Sequence, residues 1–329
     1  MLVVEARPEA RWPLISSVST RAHAGGQPTR FGVQLPTFGP TATSQLIVDT
    51  ARAAEALGYD SVWVNDHVMV PPRLEPPYGR IMEAVVTLAT VSAVTDHILL
   101  GTSCLILPQR PPIVTAKQLA TLDVLSGGRL ICGVAAGYVE EQFGFLGAQF
   151  GQRGSTLDEY VDVMRHLWST GGGSYQGSLV NFSGALFGPQ PARGGGVPIW
   201  IGGNGRAAIA RAARTGDAWH PAGLTAPELS AGVAALRSAA AGRPVGVTLK
   251  LRAGLTEVVD RYADQVSPAA AGHAFELVGR TEQVRGWLES YQSAGCEHLV
   301  LFFFHVGPDD LERSMSLFAE KVARHFTGP

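Results

Sequence analysis

Short apolar runs alternate with longer amphipathic segments along most of the chain from residue 31 onward. A short apolar run is typical of a buried strand, and apolar positions that recur every three or four residues are typical of a helix. This pattern predicts eight strands, over residues 31–35, 61–64, 98–102, 130–135, 198–202, 218–220, 245–251 and 298–303. It also predicts eight helices, over residues 43–57, 81–94, 112–125, 155–168, 205–215, 226–240, 281–294 and 309–325.

Strict alternation of strands and helices is typical of βαβ units around a parallel sheet. Eight such units predict an α/β fold of the (β/α)8 TIM-barrel type, although the pattern gives element order only and an open doubly wound sheet stays an alternative. Two stretches exceed ordinary loop length and are predicted to be insertions: a β-hairpin within residues 171–196 and a partly helical segment over 252–279. Residues 1–30 are predicted to be a flexible extension, without an apolar segment long enough for a signal peptide or a membrane span, and residues 31–329 one barrel domain.

Composition narrows the function classes. The formal net charge is -2, with 26 Lys and Arg against 28 Asp and Glu, so the chain lacks the basic surplus that binds nucleic acid or an anionic membrane. Its three cysteines, Cys104, Cys132 and Cys296, are far apart, which argues against a disulfide framework or a thiolate zinc site and favours the reducing cytoplasm. The nine histidines show no metal-ligand spacing, and there is no G-x-S-x-G nucleophile elbow, so no metal is expected.

Candidate site residues follow the predicted strands, because a (β/α)8 barrel carries its site at the carboxyl ends of its strands. Asp66 and His67 follow the second strand, and an acid beside an imidazole can bind a polar heterocycle and exchange a proton near neutral pH. His67 is the leading candidate for proton transfer, against the alternative of a structural histidine in a loop cap. Ser103 and Cys104 follow the third strand, where small side chains let a flat ring approach the backbone; a buried, inert thiol is the preferred reading of Cys104.

Two further segments complete the predicted site. Gly137 and Tyr138 follow the fourth strand, and Tyr138 is predicted to point its hydroxyl into the barrel mouth, where it could orient or protonate a substrate. A glycine-rich turn joins the fifth strand to a helix; it consists of Gly202, Gly203, Asn204 and Gly205. Exposed backbone N–H groups at a helix start bind anions, so this turn is predicted to hold a cofactor phosphate, against the alternative of a plain tight turn.

Taken in order, these segments resemble the bacterial luciferase-like superfamily, in particular its branch of F420-dependent oxidoreductases, from Phe31 to about Phe326. The resemblance rests on Phe31-Gly-Val-Gln-Leu-Pro, Ser61-Val-Trp-Val-Asn-Asp-His, Leu122-Asp-Val-Leu-Ser-Gly-Gly-Arg-Leu, Pro198-Ile-Trp-Ile-Gly-Gly-Asn and Gly216-Asp-Ala-Trp-His-Pro. Each motif is loose by itself, but their joint order is specific.

The resemblance implies a TIM-type barrel, usually a homodimer, that holds an isoalloxazine-type ring at its carboxyl end. It implies a cis peptide bond between Ser103 and Cys104 behind the ring, because Gly-Thr-Ser-Cys is similar to the Gly-Thr-Ser-Val of F420-dependent glucose-6-phosphate dehydrogenases. In those relatives the residues matching Asp66 and His67 contact the deazaflavin and serve in proton transfer. The resemblance thus implies F420, or FMN as the alternative, bound through Asp66, Ser103, Cys104, Gly137, Tyr138 and the turn from Gly202 to Gly205.

Three functions stay open at this stage. The favoured one is an F420-dependent oxidoreductase that passes a hydride between C5 of the deazaflavin and a small imine, conjugated alkene, ketone or alcohol. Tyr138 stands where the sugar-phosphate dehydrogenases have a glutamate, which argues against glucose 6-phosphate as the substrate. The second function is an FMN-dependent monooxygenase on the same fold. The third is a non-catalytic flavin-binding barrel, against which the retained Asp66 and His67 pair argues.

Overall fold

Eight parallel strands close into a barrel in the computed structural model, which describes residues 28–259, 276–303 and 307–326. The strands are β1 (Arg30–Gln34), β2 (Ser61–Val64), β3 (Leu99–Thr102), β4 (Leu130–Ala135), β5 (Ile199–Gly202), β6 (Ala218–His220), β7 (Gly246–Leu255) and β8 (His298–Phe303). Each strand pairs with the next one along the chain, and β8 pairs with β1 to complete the ring. This closure confirms the predicted TIM barrel and excludes the open sheet.

Among the described residues, eight longer helices surround the barrel, one after each strand, and a short helix, Glu140–Phe145, precedes the fourth of them. They are α1 (Ser44–Ala56), α2 (Ala84–Ser92), α3 (Pro112–Leu125), α4 (Arg153–Thr170), α5 (Arg206–Thr215), α6 (Ala226–Ala240), α7 (Thr281–Ser293) and α8 (Pro308–Lys321). Local chemistry fixes several of their ends. The Thr43 side chain accepts a hydrogen bond from the Leu46 N–H at the start of α1, Thr225 and Glu228 form a capping box on α6, and α4 ends at Gly171 with φ of 71°.

The insertions agree only in part with the prediction. Strands Gly172–Gln176 and Asn181–Leu186 form the predicted antiparallel hairpin. In the second insertion, however, β7 continues to Leu255 before the short helix Thr256–Val259, and strand Glu276–Gly279 pairs with it in parallel. Residues 260–275 of that predicted insertion lie outside the described residues.

The amino-terminal boundary of the barrel falls slightly earlier than predicted. Arg30 already belongs to β1, and the N–H of the buried Thr29 donates to the carbonyl oxygen of Phe326 at 3.2 Å. Residues 1–27 of the predicted extension lie outside the described residues. Within the described ranges, the helices are all too short or too polar to cross a lipid bilayer.

Bulky side chains fill the lumen of the barrel. Trp63 lies 4.9 Å from Trp200 and is stacked on His220 at 5.3 Å, measured between ring centroids, and its ring meets His298 edge-on at 5.9 Å. Glycine on the neighbouring strand makes room for Trp63, since a β-carbon at Gly101 would lie 2.2 Å from its ring. The barrel below its mouth is therefore a packed core, as in other closed barrels of eight strands.

Candidate active site

A bulge after β3 forms the floor of the barrel mouth. The Ser103–Cys104 peptide bond is cis, as the resemblance predicts. The bulge is packed tightly against β5, because a β-carbon at Gly202 would lie 2.5 Å from the Cys104 sulfur. Burial raises the pKa of the Cys104 thiol to about 12, so this cysteine stays a neutral thiol and is not a nucleophile.

Ser103 contacts His220, and through it Thr248, two residues that the sequence analysis did not select as site residues. Its hydroxyl oxygen lies 2.8 Å from Nε2 of His220, at the end of β6, and Nδ1 of His220 lies 2.6 Å from the hydroxyl of Thr248 on β7. Burial lowers the pKa of His220 to about 3, so its imidazole is neutral. Three strands thus contribute to one hydrogen-bonded chain that ends at Ser103.

Asp66 lies at the predicted place but its carboxylate is fully engaged within the protein. Arg110 donates to both oxygens, with Nη2 at 2.6 Å and Nε at 3.3 Å, and the backbone N–H of Ile106 donates at 2.9 Å. Asp66 is buried, and Arg110 also pairs with Glu83 at 2.9 Å. This arrangement suits a residue that holds the loop after β2 in place and leaves proton transfer to a neighbour.

His67 is half-buried beside the aromatic rim of the mouth. The side-chain amide of Gln142 lies 2.8 Å from Nδ1 of His67, and its N–H can only donate, so in the neutral imidazole the proton is on Nε2. Burial lowers the pKa of His67, which keeps it neutral at physiological pH. Among the residues predicted from sequence, His67 therefore presents a usable N–H group at the mouth.

Tyr138 lies at the outer rim, with 71% of its surface exposed, and its ring centroid is 6.5 Å from that of His67. Its hydroxyl is therefore less enclosed than the sequence analysis predicts. The adjacent Gly137 has φ of 85°, and a β-carbon there would lie 2.7 Å from Ile106, so both conformation and space require glycine.

Aromatic rings form a wall on the side of the mouth that β8, β1 and β2 border. Phe38 lies 5.5 Å from Phe302 and 5.0 Å from Tyr78, and Tyr78 lies 4.5 Å from His67, between ring centroids. Such a wall suits a flat or apolar ligand better than a sugar phosphate.

Lys250 is the most informative residue that the sequence analysis missed. It lies on β7, two residues beyond Thr248 and on the same face of the strand, and its ammonium donates to Asn65 Oδ1 at 2.5 Å. No carboxylate lies within 4 Å of this ammonium in the part of the chain that the structure describes. Burial lowers the pKa of Lys250 to about 8. The available signal was a lysine on the inward face of an otherwise apolar strand, Val-Thr-Leu-Lys-Leu.

The glycine-rich turn lies at the mouth with its backbone open to solvent. Gly203 has φ of 122°, and α5 begins after Gly205 without a side-chain cap on its first N–H groups. The Asn204 side chain is paired with the backbone of Ala222, at 2.8 and 3.1 Å, and so links the turn to the loop after β6. Backbone amides and the helix dipole, with Asn204 as a brace, make this turn suitable for an anion.

The described residues provide no cluster of metal-ligating side chains. Among residues 28–259, 276–303 and 307–326, no three or more His, Cys, Asp or Glu side chains come together in a way that could hold a metal ion. The mouth instead offers hydroxyl, ammonium, imidazole and backbone N–H groups, which suit an organic ligand with polar edges.

Comparison with known proteins gives one family match and several distant relatives. Residues 29–265 match the model of a family described as luciferase-like monooxygenase. An uncharacterised protein of Mycobacterium tuberculosis, Rv0953c, is 29% identical over 263 residues, which cover 70% of this chain and 92% of the relative. The F420-dependent glucose-6-phosphate dehydrogenase of Amycolatopsis mediterranei is 25% identical over 325 residues, covering 87% of this chain and 94% of that protein.

A solved structure shows the same fold. The monooxygenase RslO1 from Streptomyces bottropensis superposes with a TM-score of 0.78 at 20% identity, covering 91% of this chain and 100% of that one. At this identity the likeness concerns the fold alone.

Proposed function

Since the chain belongs to the luciferase-like monooxygenase family, we propose that it is an F420-dependent oxidoreductase that transfers a hydride between the deazaflavin and a small organic substrate. The family makes it an oxidoreductase with a flavin-type cofactor, F420 or FMN. The choice of F420 is supported by the similarity to F420-dependent dehydrogenases along most of the chain. The single observation that carries the proposal is the Gly-Thr-Ser-Cys segment at the floor of the mouth, where Cys104 packs against Gly202 of β5.

The residues present fit such a cofactor. The bulge at Ser103 and Cys104 offers a flat floor, because Gly202 lets it lie against β5 without an intervening side chain. The turn from Gly203 to Gly205 would hold the anionic tail through backbone N–H groups. Gly137 lets this loop pack closely against Ile106, and Tyr138 would border the outer edge of the ring.

The protein's own groups would position the substrate and handle its proton. When bound, the cofactor supplies or accepts the hydride. His67 presents Nε2–H to the mouth and can hold a substrate oxygen or nitrogen, while Asp66 and Arg110 fix the loop that carries it. The aromatic wall of Phe38, Tyr78 and Phe302 favours imines, conjugated alkenes, ketones or secondary alcohols with apolar substituents.

Cofactor titration tests this proposal against the FMN-dependent monooxygenase. We expect purified F420 to bind, with FMN at least about tenfold weaker, as followed by the cofactor's fluorescence and visible absorption band. Reduced F420 in the complex should then be oxidised by one member of a panel of ketones, imines and conjugated alkenes. Tight binding of FMN without binding of F420 would overturn the F420 proposal and leave the FMN-dependent alternatives.

Replacing His67 with alanine should separate catalysis from binding. Loss of a positioned proton-transfer group typically lowers turnover by roughly 100-fold or more, whereas the ring is held mainly by other groups. We expect His67→Ala to lose turnover by this factor with less than about threefold change in F420 affinity. His97→Ala, at an exposed position, is the matched control. Equal loss of turnover and affinity, or loss of neither, would contradict the role of His67.

We also propose that the protein acts as a homodimer in the reducing cytoplasm, where its three free cysteines stay reduced. The neighbouring helices α2 and α3 expose apolar side chains, Val86 at 66%, Val114 at 54% and Leu125 at 70%. Leu125→Glu should weaken the dimer by roughly 30-fold or more in sedimentation experiments. The control is Leu186→Glu, at a fully exposed hairpin position. A monomeric wild-type protein at micromolar concentration would refute the proposal.

A further inference from the structure

The direction of each hydrogen bond around His220 follows from the chemistry of its partners. The Thr248 hydroxyl donates its one proton to the carbonyl oxygen of Trp219 at 3.0 Å. Toward Nδ1 of His220 it can therefore only accept, so the proton of the neutral imidazole is on Nδ1. Nε2 of His220 then accepts, and the Ser103 hydroxyl must donate to it.

Ser103 is thereby left as an acceptor. The Ser103 hydroxyl donates its single proton to His220. Toward a ligand above the floor, this hydroxyl oxygen can therefore only accept a hydrogen bond. His220 and Thr248 are buried, so water does not reach them to reverse the direction of these hydrogen bonds. The Ser103 hydroxyl therefore stays an acceptor toward a ligand.

Lys250 provides a hydrogen-bond donor next to this acceptor. An ammonium group has three N–H donors and no acceptor, and Asn65 takes one of the three. Lys250 follows Thr248 by two residues on the same strand face. Its positive charge acts to lower the pKa of both His220 and Cys104. The floor thus carries an acceptor, the Ser103 hydroxyl, beside a donor, the Lys250 ammonium, which is cationic at neutral pH.

We infer that Ser103 and Lys250 together bind an imide edge, in which Ser103 accepts from a ring N–H and Lys250 donates to the adjacent carbonyl oxygen. This inference rests on the proposed function, because the pyrimidine part of an isoalloxazine-type ring presents such an edge. It goes further by naming the two residues and the atoms that they contact. Deazaflavins and flavins share this edge, so the inference holds for either cofactor.

Ring analogues with and without the imide N–H test the inference directly. The probes are 8-hydroxy-5-deazariboflavin and riboflavin, each compared with its N3-methyl derivative by equilibrium fluorescence titration. We expect the wild-type protein to bind the parent ring roughly tenfold or more tightly than the methylated one, because methylation removes the donor and leaves Ser103 unpaired. In Ser103→Ala this preference should shrink to less than about threefold.

Lys250→Met should give a different signature. A lost charge-assisted hydrogen bond should weaken binding of both the parent and the methylated ring by roughly tenfold to 100-fold, with the preference between them retained. Lys321→Met, at an exposed ion pair on α8, is the matched control and should leave both affinities unchanged.

Thr248 tests whether Ser103 is oriented through His220. Thr248→Val removes the acceptor that fixes the imidazole proton, so the preference for the parent ring should fall, and Thr248→Ser should restore it. A wild-type protein that binds neither parent ring would overturn the proposed function together with this inference. Binding of the parent ring without discrimination against the N3-methyl probe, or unchanged affinity in Lys250→Met, would overturn the inference alone.

Discussion

Lowering the pH from 7 to 5 is expected to reduce the free energy of unfolding by about 4 kcal/mol through two buried histidines. Burial lowers the pKa of both His220 and His298 to about 3, against an ordinary value near 6.5. Below pH 6.5 the unfolded chain therefore binds protons that the folded protein does not. Stability is lost as the pH falls from 6.5 toward 3, by about 2 kcal/mol for each histidine at pH 5.

Denaturant unfolding at pH 7 and pH 5 measures this effect, and His298→Gln isolates half of it. The variant has no group that titrates at this position, so the difference between the two pH values should fall by about 2 kcal/mol, whatever its absolute stability. His97→Gln, at an exposed position, should leave the difference unchanged. An equal pH effect in His298→Gln and the wild-type protein would show that His298 does not carry it.

Replacing Arg110 with methionine is expected to destabilise the protein by roughly 3–5 kcal/mol, because it leaves the buried carboxylate of Asp66 without its cation. The side chains of Arg110 and Asp66 are only 12% and 3% exposed, so water cannot replace the lost partner. Asp66 would keep only the N–H of Ile106.

Two comparisons sharpen this prediction. The double variant Asp66→Asn with Arg110→Met removes the stranded charge and should be more stable than Arg110→Met alone. Arg73→Met breaks a similar two-point contact with Glu141, at 2.9 and 2.8 Å, but on the surface, and should lower the free energy of unfolding far less than Arg110→Met. Similar losses for Arg73→Met and Arg110→Met in denaturant unfolding would contradict the importance of burial.

Most of the barrel could be predicted from sequence because its signals are local. Four strands, β2, β4, β6 and β8, have the predicted bounds, since a strand buried on both faces is a continuous apolar run between polar residues. Sequence analysis missed the extension of β7 to Leu255 because this extension depends on pairing with Glu276–Gly279. A segment with charged residues, such as Lys-Leu-Arg, does not reveal a strand partner that is distant in sequence.

The sequence could identify candidate site residues within single segments, but it could not show which residues of distant segments contact them. Asp66 and His67 were identified together, yet one turns to Arg110 and the other to the mouth, and neighbouring positions in a sequence do not indicate that difference. Their partners Arg110 and Gln142 lie 44 and 75 residues away along the chain. The roles of His220 and Thr248 depend on hydrogen-bond direction between strands, which only the assembled barrel defines.

The two tryptophans packed against each other below the mouth have a consequence for the order of events at the site. Because Trp63 and Trp200 block the axis of the barrel, the described part of the protein offers no passage through its centre. A ring that lies on the Ser103–Cys104 floor must then enter through the mouth of the barrel. The molecule that reacts with this ring must use the same opening. Under the proposed function, the deeper ligand would have to bind first and leave last, so the two ligands would bind and leave in a compulsory order.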